Sequence, residues 1–162
     1  MRLTPDRVEA EYEWTRARAP RIVTVINDTR ARLGAAFDVT VDPVTEADYR
    51  REVDAVFANG ERGVNVAAYV ALLRDLDVDG DYPGFVVDEV LGRELAATIA
   101  GGQPLALLAQ ATFHIADVFT HSDGVAGVDD LDAALAAGFQ TRLPGWSWRD
   151  GDPFAVSTRG ED

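Results

Sequence analysis

The stretch DLDVDGDYPGF, residues 75–85, places Asp75, Asp77, Asp79 and Asp81 at alternate positions around Gly80, with no basic residue among them. A helix–loop–helix calcium site needs oxygen ligands at loop positions 1, 3 and 5, a glycine at 6 and a bidentate glutamate at 12. Asp75, Asp77, Asp79 and Gly80 meet the first four requirements. Position 9, however, is Pro83 and position 12 is Val86, so Asp88 and Glu89 arrive two and three residues late. The simpler reading is a turn between two helices, with Asp79-Gly80 as the bend and Asp81 and Pro83 opening the next helix, where negative charge is favourable. Asp75 and Asp77 fit that reading poorly. They fall at the C-terminal end of the preceding helix, where each acid costs about 0.3–1 kcal/mol. A cation or an arginine-rich partner would relieve that cost, so calcium held by Asp75, Asp77 and Asp79 stands as an alternative.

His114 and His121, the only histidines, share the stretch FHIADVFTHSD with Asp117. At helical spacing Gln110, His114, Asp117 and His121 fall within about 60° of one another, opposite Leu108, Ile115 and Phe119. Two histidines and a carboxylate can hold a metal, and a His–Asp pair can act as a general base. The histidines are two turns apart, about 10 Å along the axis, too far to share one ion without a ligand from another element. A polar edge on a buried helix is the plainer reading; a metal-dependent or general-base enzyme built on His114, Asp117 and His121 is the alternative. No glycine-rich phosphate loop, nucleophile elbow or zinc signature occurs, and Ser122, Ser147 and Ser157 lie outside any nucleophile motif. Cysteine is absent, which removes disulfides, thiolate metal sites and cysteine nucleophiles.

Charge points to a partner class. The formal charge is −13, from 28 acids against 15 bases, all of them arginine. Residues 1–62 are close to balance, with ten arginines and twelve acids, whereas residues 75–132 carry twelve acids against Arg93 alone. Such a segment repels phosphate backbones and anionic membranes, which disfavours nucleic acid and lipid surfaces and favours a basic protein or a cation. An acidic, lysine-free surface is also what coding bias or a high-salt habitat would produce. No apolar run approaches the roughly 20 residues of a membrane helix, so a cytoplasmic protein is expected.

The elements that must position these residues read as helices. Thr4 caps a first helix with Pro5 in its first turn, supported by an Arg7–Glu11 pair and ending near Pro20. Ile22, Val25, Ile26, Thr29 and Leu33 form the stripe of a second, stopped by Gly34. Phe37, Val39 and Val41 alternate with polar residues in a short extended segment, 37–41, that Pro43 closes. Thr45 caps a helix bearing Tyr49, Val53, Val56 and Phe57, and Gly60 ends it. Val66, Tyr69, Val70 and Leu73 mark the next; Val87, Val90, Leu91, Leu95 and Ile99 mark another, stopped by Gly101-Gly102. The stretch from Pro104 to Gly124, nearly free of charge, is expected to be the most buried helix, and VDDLDAALAAGF a last short one. Trp146 and Trp148 follow in an irregular segment expected to lie across the bundle as a lid.

The expected fold is therefore all-α: a single-domain bundle of about six helices over residues 1–155, followed by a disordered tail, 156–162. The expected function is that of a small acidic, non-catalytic interaction module of the inhibitor, immunity or adaptor type, working without a cofactor. Its partner-binding set is Asp75, Asp77, Asp79, Asp81, Tyr82, Asp88, Glu89, Asp129, Asp130 and Asp132, with apolar residues such as Phe85 and Trp146 supplying affinity that exposed charge does not.

Overall fold

A computed structural model describes residues 1–76, 84–120 and 126–146. Among them the chain forms seven helices and no strand: α1 (Pro5–Ala17), α2 (Ala19–Phe37), α3 (Glu46–Ala58), α4 (Gly60–Asp75), α5 (Val87–Ala100), α6 (Leu105–Thr120) and α7 (Ala126–Gln140). The caps are local chemistry. The Thr4 hydroxyl accepts from the Arg7 amide at 3.1 Å, and Pro5 occupies the first turn, where its missing N–H costs nothing. Thr45 and Asp48 form a reciprocal capping box, and the two backbone and hydroxyl bonds hold the Asp48 carboxyl below its ordinary range. Asn59 caps α4 through the Arg62 amide, so Gly60 begins a helix rather than only ending one.

Helix α2 runs one turn past Gly34 to Phe37, and Asp38 ends it in the left-handed region. Gly34 serves close approach instead of a stop: a Cβ there would lie 2.6 Å from the Val39 carbonyl oxygen, whose residue folds back to bond the Gly34 carbonyl. The expected extended segment 37–41 is not a strand: Phe37 ends α2, residues 38–41 are irregular, and Phe37 and Val39 are exposed. The connection is pinned further on, where the Asn27 amide side chain donates to the Val44 carbonyl at 3.1 Å and accepts from its N–H at 2.9 Å.

The most buried helix is α7, not α6. Every residue from Asp130 to Thr141 is buried, whereas α6 exposes Leu107 and Val118. The reason is side-chain size. In α7 the run Ala133, Ala134, Ala136, Ala137 and Gly138 lets neighbouring helices approach closely on all sides, so that a Cβ on Gly138 would stand 2.8 Å from Ile99. Helices α2, α3, α4, α5 and α6 all pack against it. Its one large aromatic side chain, Phe139, meets Tyr49 of α3 edge-on at 5.3 Å, and the Tyr49 hydroxyl donates to the Thr15 carbonyl at 2.8 Å.

The C-terminal end of α7 is held by a buried arginine. Arg30 donates to the carbonyl oxygens of Gln140 at 2.9 Å and Leu143 at 3.1 Å, and to those of Asp42 at 3.0 Å and Pro144 at 2.6 Å. Its guanidinium also lies over the Trp146 ring at 5.5 Å. Trp146 is buried and donates to Gln140 at 2.9 Å, so it lies across the bundle as the lid reading expects and is not offered to a partner. Trp148 and the tail 156–162 lie outside the described residues. No helix among the described residues is long and apolar enough to cross a membrane.

Candidate functional site

The face of α5 is rotated from the one that apolar spacing suggests. Its buried stripe is Asp88, Gly92, Leu95, Ala96 and Ile99, roughly a quarter turn from the expected stripe of Val87, Val90, Leu91, Leu95 and Ile99, which puts Val87 and Val90 on the far side. Gly92 is the cause. A Cβ there would stand 2.7 Å from the Phe113 ring, so only glycine lets that ring lie directly on the α5 backbone. Docking Phe113 on Gly92 turns Asp88, four residues earlier, inward and leaves Val87 and Val90 outside.

Asp88 meets Asp130 of α7, and both are nine-tenths buried. Desolvation, the hydrogen bond with Asp88, and the charges of Asp88, Asp117 and Glu89 push the Asp130 carboxyl up to about 8. At neutral pH Asp130 is therefore mostly protonated. Asp88 also accepts from the Glu89 amide at 2.9 Å. Glu89 itself accepts from Arg93 at 2.8 Å and lies 3.5 Å from the His114 Nδ1, on a histidine that is 57% exposed. Asp117 is half-buried on the same helix as His114. His121 lies outside the described residues. Among those residues no three histidine or acidic side chains come close enough to hold a metal ion.

Two further aspartates of the expected face, Asp75 and Asp132, are met by arginines from the N-terminal half. Asp132 is buried and joined to Arg18 through both oxygens, with Arg21 at 3.7 Å; burial raises its pKa and the arginines oppose the rise. Asp75 accepts from Arg7 at 3.0 Å, which offsets the cost of an acid at the end of α4. Arg7 and Arg74 both pair with the buried Glu11. Arg18 and Arg74 flank Trp14, at 5.0 and 4.6 Å from its ring centre. The imbalance between the halves of the sequence is thus partly folded away.

Of the expected partner-binding set, Asp88, Asp130 and Asp132 are internal. Of the expected set, Glu89, Asp75 and the half-buried Asp129 remain toward the surface. Asp77, Asp79, Asp81 and Tyr82 lie outside the described residues, and the calcium alternative with them. Phe85 is 37% exposed; what the sequence missed is the exposure of the valines that follow it, Val86 and Val87 at 50% each and Val90 at 42%. Gly92 was the available signal, four residues after Asp88 and opposite Val90.

No curated protein and no solved structure matches the chain. A family model described as a domain of unknown function, DUF7984, matches residues 1–158, and the chain belongs to that family.

Proposed function

We propose that the protein is a cytoplasmic, non-catalytic interaction module that binds a basic, amphipathic segment of another protein over the start of α5. The observation that carries this reading is the exposure of Phe85, Val86, Val87 and Val90 beside the Glu89 carboxylate. Val86 and Val90 are one turn apart and Val87 lies between them, so the three share one helical edge. Exposed apolar side chains gathered in one place are a common mark of an association surface. The aspartates of 77–81 immediately precede this edge in the chain, and the net charge of −13 favours a cationic partner. Acids steer encounter and set sign, while the valines and Phe85 supply dehydrated contact.

The test uses a synthetic amphipathic helix of leucine and lysine and its counterpart with glutamate for lysine, titrated into isotope-labelled protein. The basic peptide is expected to shift amide resonances of residues 85–90, and the acidic one to leave them unchanged. Val87→Ser with Val90→Ser should weaken the basic complex about tenfold. Equal shifts from both peptides, or shifts confined to other helices, would remove the proposal.

A further inference from the structure

A second surface, independent of the start of α5, lies where α1 crosses α3 and α4. One cavity of about 260 Å³ is lined by Val8, Glu9, Tyr12, Asp54, Phe57 and Ala58. A neighbouring one of about 420 Å³ is lined by Leu3, Thr4, Pro5, Val8, Glu9 and Val64. Val8 and Glu9 belong to both, so the two adjoin along one edge of α1. The larger cavity is walled mainly by aliphatic groups, including the exposed Val64. The smaller is flanked by the Tyr12 and Phe57 rings, tilted with centroids 5.4 Å apart.

The charges in this trough are all of one sign. Glu9 and Asp54 are its ionised lining residues, and neither cavity is lined by an arginine. Asp54 is already satisfied: the Tyr12 hydroxyl donates to it at 2.6 Å and Arg16 at 3.0 Å. Glu9 differs. It stands at the junction of the two cavities and its carboxylate makes no hydrogen bond or ion pair among the described residues. An unpaired carboxylate between an aliphatic wall and two aromatic rings suits a molecule with a cationic head and an apolar tail.

We infer that the α1/α3/α4 trough binds amphiphilic organic cations, with the ammonium at Glu9 beside the paired Tyr12 and Phe57 rings and the alkyl chain along Leu3, Val8 and Val64. An anionic head of the same length would meet Glu9 and Asp54 with like charge. A neutral head would forgo the ion pair.

The probes are octylammonium, octanol and octanoate, each titrated below its micelle concentration into labelled protein. Octylammonium is expected to shift resonances of Val8, Tyr12 and Val64 at several-fold lower concentration than octanol, and octanoate to be weakest. Glu9→Gln should erase the preference for the ammonium over octanol. Glu13→Gln, one turn further along α1 and outside the trough, should retain it, which separates a site from general attraction to an acidic protein. Val64→Ser, at an exposed wall position, should weaken all three probes together. Equal response to ammonium and alcohol in the parent protein, or an unchanged preference in Glu9→Gln, would overturn the inference. So would octylammonium shifts that avoid the trough.

Discussion

Arg18 and Asp132, 114 residues apart in the sequence, join side chain to side chain across the start of α2 and the centre of α7, the guanidinium taking both carboxylate oxygens. Asp132 is almost wholly buried and Arg18 only partly, so the two ends of the pair are not equivalent. Removing the arginine leaves a buried anion with only Arg21, at 3.7 Å, to answer it. Arg18→Met is therefore expected to cost about 3 kcal/mol, the lower end for breaking a buried pair. Adding Asp132→Leu should recover most of that loss, because no unpaired charge remains. Urea unfolding of the two variants checks both; equal stability of Arg18→Met and the parent would mean the pair contributes nothing.

This pair also shows where sequence reading reached its limit. Helices α1 to α4 were legible because Thr4, Thr45 and the stripes through Ile22–Leu33 and Tyr49–Val56 are local signals, caps and 3.6-residue periods that need no partner. The all-α class followed from them. Asp130 and Asp132 were not legible as internal, since an aspartate bound for the interior looks the same in sequence as one facing water. Their burial depends on Arg18 and Asp88, which only the fold brings near. The rotation of α5 was missed for a related reason: Gly92 reads as a weak helix residue until Phe113 is seen lying on it. Arg30, the side chain that ties four carbonyls near the end of α7, carries no sequence signal that separates it from a surface arginine.

Arg30→Lys is expected to behave as a severe change despite keeping the charge. A single ammonium cannot reach the carbonyls of Asp42, Gln140, Leu143 and Pro144 together, as the planar guanidinium does. Losing several charged hydrogen bonds in a buried setting should cost about 2–4 kcal/mol. Fluorescence of Trp146, whose ring Arg30 covers, should shift toward that of an exposed indole as the lid loosens. A variant with parental melting temperature and emission would show that the lid holds without the arginine.

Asp130 predicts the pH dependence of stability. Its folded-state pKa stands near 8, against an ordinary 3.8, so between those values the folded state keeps a proton that the unfolded chain has released. By linkage the contribution of this group declines as pH rises through that window and levels off above about 8. Asp130→Asn keeps a donor for Asp88 without the titration, and should flatten this decline and raise the melting temperature at pH 8. Parallel pH profiles for the variant and the parent would place the titration elsewhere.

His114→Ala is expected to change stability by no more than about 0.5 kcal/mol. The ring is more exposed than buried, and its carboxylate neighbour Glu89 retains Arg93 at 2.8 Å. Peptide binding at residues 85–90 should persist. A folded His114→Ala protein that lost all binding would instead give the histidine a direct role in the peptide site.

Binding at the start of α5 should divide kinetically between charge and apolar contact. Asp77→Asn, Asp79→Asn and Asp81→Asn together remove three charges from the segment that leads into the exposed edge, without touching the buried Asp88–Asp130 pair. If these acids steer encounter, association with the basic peptide should slow by about tenfold at low salt, and its dependence on ionic strength should flatten. Dissociation should change little, since Phe85, Val87 and Val90 remain. Val87→Ser with Val90→Ser should do the reverse, speeding dissociation while leaving the salt dependence intact, because polar substitution of exposed valines removes dehydrated contact but no charge. Stopped-flow association at several ionic strengths separates the two effects. If both variants alter only dissociation, the acids of residues 77–81 contribute short-range contacts; if neither alters either rate, the acidity is a solvated surface and the exposed valines are not its binding edge.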